Sequence, residues 1–325
     1  RPAQRNPRTS PWTGKVMSIL FCSPNEAPEP WRAALAEAFP ALAFQVCSRA
    51  AKLDEVRYFL TWNPPPGLWA GMPKLRAVLW LGAGVDRLLS DPSLPPDLPI
   101  VRLVDAGFAQ QMSEYALYGV LYYQRRMGEY AAMQKECKWH PLSEPIARDW
   151  PVGVLGLGAI GAAVAKRIAQ MGFPVLGWSA RGAPIDGVEV YSGDRGVREV
   201  LARAQVLVNI LPLTAQTANF FDSAVFSQMR HGAHLVNIAR GGHIVEADLL
   251  AALDAGRLSG AMLDVFRDEP LPKSHPFWGH PKIILTPHVA AQTNVLLARS
   301  QIIENIGRLE RGEVPHGLVD RSRGY

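Results

Sequence analysis

One segment constrains this chain more than any other. Pro151-Val152-Gly153-Val154-Leu155 reads as a buried strand, runs into Gly156-Leu157-Gly158-Ala159-Ile160-Gly161, and continues as the helical stretch AAVAKRIAQMG. A lone G-x-G-x-x-G is a weak signal, but strand, turn and helix in this order are the setting that a dinucleotide-binding turn requires. The first glycine permits the tight turn, the second lets backbone amides approach a pyrophosphate, and the third lets helix and strand pack closely. Ala159 and Ile160 open a helix whose N-terminus supplies partial positive charge.

A turn of this kind needs a parallel sheet around it, and the flanking sequence supplies one. Val16–Cys22, Ala41–Val46, Val56–Trp62, Arg76–Leu81 and Ile100–Val104 read as strands before it, with helical spacing at Trp31–Phe39. A long helical stretch from Gln111 to Lys135 separates these from a second series: Val152–Leu155, Pro174–Gly177, Val206–Ile210, His234–Ile238, Gly260–Val265 and Ile283–Thr286. Strand and helix alternating in this way predict parallel sheets covered on both faces. At 325 residues two domains are expected. The tail after Val289 holds one helix, Leu296–Glu310, too little for a domain, so it is expected to return to the first. The boundaries read as a basic leader at 1–16, a substrate domain at 17–110 plus 289–325, and a dinucleotide-binding domain at 111–288.

Composition narrows the function classes. The chain carries 48 % hydrophobic and 19 % charged residues, ordinary values for a globular protein. The longest near-continuous apolar run, Ala77–Val85, suits a strand rather than the ~18 residues of a membrane span. Cys22, Cys47 and Cys137 are scattered without a C-x-x-C pair, which argues against a disulfide framework or a cysteine-built metal site and fits the cytoplasm. The net charge is +5, but Arg1, Arg5, Arg8 and Lys15 stand in residues 1–17 without an acid. Only +1 remains for the rest, so no nucleic-acid partner and no membrane are expected. The leader has no apolar core of a secretory signal. It reads as a disordered extension or an early start before Met17, with a transit peptide as the alternative.

The second strand of the dinucleotide fold decides which cofactor is expected. NAD sites place an acid at its end to hold the ribose 2′-hydroxyl. Here the strand ends Trp178-Ser179-Ala180-Arg181, and the first acid after Gly161 is Asp186. A hydroxyl and a guanidinium suit a 2′-phosphate, which predicts NADP at Ser179 and Arg181; a merely solvated loop arginine is the alternative.

Three further segments end strands of the second series: Ile238-Ala239-Arg240-Gly241-Gly242, Leu263-Asp264-Val265-Phe266-Arg267-Asp268-Glu269-Pro270, and Leu285-Thr286-Pro287-His288. Open α/β sheets bind ligands at such ends. Taken singly, Arg240 could be a surface charge, Glu269 part of an acidic turn and His288 a strand-end histidine. Together they suit hydride transfer to a 2-oxo acid. Arginine clamps the carboxylate and polarises the carbonyl. Histidine protonates the oxygen, and glutamate orients the imidazole and favours its charged form.

At these residues the chain resembles the D-isomer-specific 2-hydroxyacid dehydrogenases, over nearly its whole length from Met17. Glu269 stands 29 residues after Arg240, and His288 19 after Glu269, as in the family pattern. Leu81-Gly82-Ala83-Gly84-Val85-Asp86 is similar to the family's substrate loop. Gln111-Met112-Ser113-Glu114-Tyr115, Trp139-His140-Pro141-Leu142, Trp178-Ser179 and the ending Val319–Tyr325 resemble the bacterial glyoxylate/hydroxypyruvate reductases within it.

The resemblance implies a flavodoxin-like substrate domain and a Rossmann cofactor domain with the active site in the cleft. It implies NADPH-dependent reduction of glyoxylate to glycolate and hydroxypyruvate to D-glycerate, in a homodimer formed through the cofactor domain. Carried onto this chain, Arg240, Glu269 and His288 are catalytic, and Arg240 and His288 also touch substrate. Ile238, Ala239 and Leu211-Pro212-Leu213 border the cofactor, with Trp178 beside it, and Asp264 meets the nicotinamide carboxamide. Leu81, Gly82, Ala83 and Gly84 receive the substrate carboxylate, Trp62 walls the pocket, and Trp139 reaches into the partner's site. Two other functions remain open: a D-2-hydroxyacid dehydrogenase for longer 2-oxo acids, and a dinucleotide-sensing interaction protein.

Overall fold

The structure, a computed structural model, describes residues 17–24, 26–143, 145–180, 182–322 and 324. The basic leader and Arg181 lie outside the described residues. The chain divides into two compact units, one ending at Ala106 and resuming at Thr293, the other spanning Gly107–Gln292. The sequence-based junctions stood four residues away at each crossing. The linking helix starts earlier than its apolar pattern suggested, at Phe108, behind Gly107 in the left-handed region at φ +85°.

The first unit holds five strands: β1 (Met17–Cys22), β2 (Leu42–Val46), β3 (Tyr58–Thr61), β4 (Ala77–Trp80) and β5 (Ile100–Arg102). They pair in the order β2-β1-β3-β4-β5, every pair parallel. This is the flavodoxin-like order, which opens a ligand-binding crevice where the order reverses, at β1/β3. β3 and β4 are buried at every position, which is why they read as unbroken apolar runs rather than alternating ones. Helix α1 (Pro28–Ala38) packs against the C-terminal helix α9 (Val295–Glu310).

The returning tail is held by chemistry as well as packing. Glu310 accepts the Tyr58 hydroxyl at 2.5 Å and pairs with Arg57 at 3.1 Å and Arg76 at 2.9 Å. Beyond α9, the Arg102 amide donates to the Gly317 carbonyl at 3.0 Å and the Val319 amide to the Ile100 carbonyl at 2.9 Å. The tail therefore closes the exposed edge of β5.

The second unit carries seven parallel strands: β6 (Val152–Leu155), β7 (Val175–Trp178), β8 (Glu189–Tyr191), β9 (Val206–Asn209), β10 (Ala233–Asn237), β11 (Leu258–Leu263) and β12 (Ile283–Leu285). Their order is β12-β11-β10-β9-β6-β7-β8. The order reverses between β6 and β9, and that switch point is where a doubly wound sheet takes a dinucleotide. One core layer gathers Val164, Ala165 and Ile168 of helix α5 (Ala159–Gln170) with Ala116, Val120 and Tyr123 of the linking helix. The other gathers Val200, Phe226, Leu249 and Phe277 across the opposite face.

Two sequence expectations need correction. The stretch Gln111–Lys135 is not one helix but two, α3 (Phe108–Gln124) and α4 (Met127–Lys135). Arg126 breaks it at φ +55°, and its guanidinium pairs with Glu129 at 2.5 Å and donates to the Ser143 carbonyl at 3.1 Å. β8 went unread because an edge strand of three residues, none of them buried, carries almost no periodicity.

Candidate active site

The glycine-rich turn is built as its spacing requires. Gly156 sits at φ +97°, and a Cβ there would lie 2.7 Å from the Ile210 carbonyl oxygen. A Cβ on Gly161 would lie 1.7 Å from the Gly156 carbonyl oxygen, so the helix can approach the strand only through glycine. Around Gly158 a Cβ would meet nothing within 4 Å, and Gly158 is the N-cap of α5 with no side-chain cap. An open glycine face at an uncapped helix start fits a dinucleotide pyrophosphate.

At the end of β7 the Trp178 indole donates to the Gly193 carbonyl at 3.0 Å, and Ser179 Oγ accepts the Gly182 amide at 3.2 Å. The Ser179 hydroxyl therefore ties the end of β7 to Gly182.

Arg240 follows β10, and the residues that set its backbone were missed in the sequence. Asn209 and Asn237 end two buried strands, and with His243 they are fully buried. Asn209 donates to Asn237 Oδ1 at 2.9 Å, and Asn237 donates to the Arg240 carbonyl at 3.0 Å. His243 bridges two carbonyls, with Nδ1 3.0 Å from Arg240 O and Nε2 3.3 Å from Pro212 O. This network ties the Leu211-Pro212-Leu213 loop to the Arg240 loop. Ile238 and Ala239 are buried beneath it. The available signal was an asparagine closing two strands after an apolar run, VLVN and AHLVN, since buried amides must be satisfied. Gly241 completes the placement: a Cβ there would meet the Phe266 carbonyl carbon at 1.9 Å.

Glu269 and His288 meet directly. His288 Nδ1 lies 2.9 Å from Glu269 Oε2, and Glu269 Oε1 accepts the Phe266 amide at 2.9 Å. Burial pushes the Glu269 carboxyl up, but the His288 hydrogen bond and charge, the Phe266 amide and the Arg240 charge outweigh it. The carboxyl is held below the usual glutamate value. The Glu269 contact at Nδ1 fixes the orientation of the imidazole.

Asp264 lies beside this pair, only 1 % exposed. Its carboxylate accepts the Thr286 hydroxyl at 2.6 Å and the Val289 and Ala290 amides at 2.8 Å each. Burial nonetheless raises its pKa above the ordinary aspartate value, against those hydrogen bonds and the His288 charge. Thus the Gly-rich turn, Ser179, Leu211–Leu213, Arg240, Asp264, Glu269 and His288 all stand at the carboxyl ends of one sheet's strands.

In the first unit, Trp62 and the loop Leu81–Gly84 come together. The Trp62 ring leans on Trp80 with centroids 4.8 Å apart, and a Cβ on Gly82 would penetrate it, 2.1 Å from Cζ3. Three carbonyls of the loop are anchored: Leu81 O by Thr293 Oγ1 at 2.6 Å, Gly82 O by the Leu103 amide at 3.1 Å, and Gly84 O by the Trp80 indole at 2.9 Å. Ala83 and Gly84 stay half-exposed. Trp139 is fully exposed in the segment after α4.

Fold and site together define an oxidoreductase of one family. Residues 117–290 match the model of the D-isomer specific 2-hydroxyacid dehydrogenase NAD binding domain, and the chain belongs to that family. The chain is 41 % identical over 315 residues to glyoxylate/hydroxypyruvate reductase A of Yersinia enterocolitica, covering 95 % of this chain and all of that protein. It is 42 % identical over 317 residues to the protein of the same name in Serratia proteamaculans, with the same coverage. Among solved structures, a D-isomer specific 2-hydroxyacid dehydrogenase from Xanthobacter autotrophicus Py2 in complex with NADPH and MES superposes with a TM-score of 0.90 at 37 % identity, over 96 % of this chain and all of that one. The NADPH-dependent glyoxylate/hydroxypyruvate reductase of Sinorhizobium meliloti, in complex with NADP and sulfate, gives 0.89 at 37 % identity, over 95 % of this chain and all of that one.

Proposed function

We propose that this enzyme reduces glyoxylate to glycolate and hydroxypyruvate to D-glycerate with NADPH. The observation that carries the proposal is the His288–Glu269 pair at 2.9 Å, within the influence of the Arg240 charge. A proton donor held by an anion beside a guanidinium is what a 2-oxo acid needs for reduction.

NADPH, when bound, supplies the hydride that the carbonyl carbon receives. Gly156, Gly158, Ala159, Ile160 and Gly161 would hold its pyrophosphate, and Ser179 and Arg181 would take the 2′-phosphate beside Trp178. Leu211, Pro212, Leu213, Ile238 and Ala239 would border it, and Asp264 would meet the carboxamide. Arg240 binds the substrate carboxylate through paired hydrogen bonds and polarises the carbonyl. His288 delivers its Nε2 proton to the carbonyl oxygen, and Glu269 stabilises the imidazolium until it does so. On the first unit, the anchored Leu81, Gly82 and Gly84 carbonyls and the Trp62–Gly82 contact support a role for Trp62, Leu81, Gly82, Ala83 and Gly84 in recognising a small substrate.

The same proposal makes the protein a cytoplasmic homodimer. Tyr118, Met127, Trp139 and Ile146 expose large apolar side chains on and after α3 and α4, and a partner's cofactor domain would cover them. The cytoplasm keeps thiols such as Cys22, Cys47 and Cys137 reduced.

Loss of NADPH absorbance on adding glyoxylate, hydroxypyruvate or a series of longer 2-oxo acids tests the activity. The two small acids are expected to give the highest kcat/KM. A longer 2-oxo acid that exceeds both, or no turnover with any, overturns the assignment.

A further inference from the structure

We infer that Cys22 and Cys47 form a dithiol site that small-molecule disulfides oxidise to an intramolecular disulfide. The pairing of β1 with β2 puts the two cysteines side by side. Phe21 is the register partner of Val46, and the Cys47 amide donates to the Phe21 carbonyl at 2.8 Å, so the ladder continues one step past the last strand pair. Cys22 and Cys47 occupy that next step. Neighbouring strands lie about 4.8 Å apart, inside the Cα separation that disulfides span.

The two side chains also leave the sheet on the same face. Side chains alternate along a strand, so Ser18, Leu20 and Cys22 share one face of β1, and Ala43, Gln45 and Cys47 share one face of the β2 segment. Gln45 Nε2 reaches Ser18 Oγ at 3.3 Å, which shows that these two faces coincide. Cys22 and Cys47 pack on the same core cluster and are half-buried, within reach of a small reagent. Cys47 stands near enough to Cys22 to act on its thiol.

The chemistry has a direction. Cys47 follows the edge strand β2, whereas Cys22 ends the inner strand β1, where burial raises its thiol above the ordinary value, so Cys47 opens the exchange. The Cys47 thiolate attacks one sulfur of a small disulfide, forms a mixed disulfide and expels the other half as a thiolate. Cys22 then attacks the Cys47 sulfur, its proton passing to the second departing thiolate. Two protein thiols are oxidised to one disulfide, and one small disulfide is reduced to two thiols. The new bond ties the edge strand β2 to β1. It forms where the Cys22 carbonyl accepts the Thr61 hydroxyl at 2.7 Å and the Trp62 amide at 3.1 Å.

The test uses the full chain with the exposed Cys137 changed to serine. This Cys137→Ser protein is treated with glutathione disulfide at mildly alkaline pH and examined by intact mass, thiol titration and non-reducing peptide mapping. The expected product has lost both thiols, is lighter by two hydrogens, carries a Cys22–Cys47 linked peptide within one chain, and reverts with dithiothreitol. Cys22→Ser in the same background is expected to stop as a stable mixed disulfide on Cys47, whereas Cys47→Ser remains largely unmodified. Two stable glutathionyl adducts, a link between chains, or thiols that react only after denaturation would each overturn the inference.

Discussion

The main-chain amide of His288 donates to the main-chain carbonyl of Asp264 at 2.8 Å, and the Asp264 carboxylate takes the amides of the next two residues, Val289 and Ala290. One aspartate at the end of β11 thus fixes three consecutive residues at the end of β12. His288 is held at φ +57°, a left-handed conformation that costs a non-glycine residue about 1–3 kcal/mol. Without this clamp the imidazole would not be delivered to Glu269.

Thr286→Val tests the clamp. The Thr286 hydroxyl donates to Asp264 at 2.6 Å and lies 2.5 Å from the Tyr115 hydroxyl. It opposes the burial that already raises the Asp264 pKa. Its removal should raise that value further, so that Asp264 takes up a proton at higher pH and loosens its hold on the 288–290 backbone. The acid limb of kcat should therefore move to higher pH, with KM for glyoxylate little changed. An acid limb that stays in place would separate Asp264 from His288.

Arg240→Ala should lower kcat/KM for glyoxylate by about 10²–10³, the usual effect of removing one donor that stabilises charge in the transition state. Cofactor binding, followed by fluorescence titration with NADPH, should persist, because the backbone network of Asn209, Asn237 and His243 remains. A loss of less than tenfold would mean that Arg240 does not hold the substrate.

Glu269→Gln should move the alkaline fall of reductive activity to lower pH, because an imidazolium loses its neighbouring anion. The carboxyl of Glu269 is held below its usual value. Its paired, ionised state is therefore present at neutral pH and is lost only as pH falls through that depressed value. Oxidation of glycolate needs neutral His288 and should rise where reduction falls. An alkaline limb that does not move in Glu269→Gln removes Glu269 from the mechanism.

Stability should also report a buried histidine away from the chemistry. Burial lowers the His234 pKa from 6.5 to about 4, and its ring stacks on Tyr123 with centroids 4.1 Å apart. The unfolded chain binds the proton first, so this contribution is complete above about pH 6.5 and is lost as pH falls towards 4. A shift of that size corresponds to at most about 3 kcal/mol. Denaturant unfolding of His234→Phe, which keeps the stack, should show a shallower decline of stability between these pH values than the parent protein. Equal slopes would show that His234 does not titrate on unfolding.

Much of this architecture was legible because its signals are local. The glycine turn, the strand-end Arg240, Glu269 and His288, and the apolar runs of β3 and β4 each declare themselves within a few residues. What escaped depends on partners far along the chain. Nothing near Asp264 announces that its carboxylate serves the segment 286–290, and the asparagines ending β9 and β10 make sense only when those strands are neighbours. The helix break at Arg126 was hidden because a left-handed arginine, unlike glycine or proline, leaves no mark in the sequence. Cys22 and Cys47 are 25 residues apart and become a pair only through strand register.

Cofactor choice rests on two side chains and on an acid that the sequence lacks at the end of β7. With the 2′-phosphate against Ser179 and Arg181, the parent enzyme should favour NADPH over NADH in kcat/KM. A charge-assisted hydrogen bond is worth about 1.5–3 kcal/mol, which predicts a preference of about ten- to a hundredfold. Arg181→Ala should weaken NADPH and leave NADH nearly untouched, since NADH has no phosphate to lose. Ser179→Asp should go further, because its carboxylate accepts from the ribose 2′-hydroxyl of NADH and repels the phosphate of NADPH. Ser179 Oγ also accepts the Gly182 amide at 3.2 Å, a contact that an aspartate oxygen can keep, so the turn should survive the change. The double variant should reverse the preference, measured as the ratio of kcat/KM for the two cofactors at saturating glyoxylate. Equal use of both cofactors by the parent enzyme, or an equal loss with both in Arg181→Ala, would place the phosphate elsewhere.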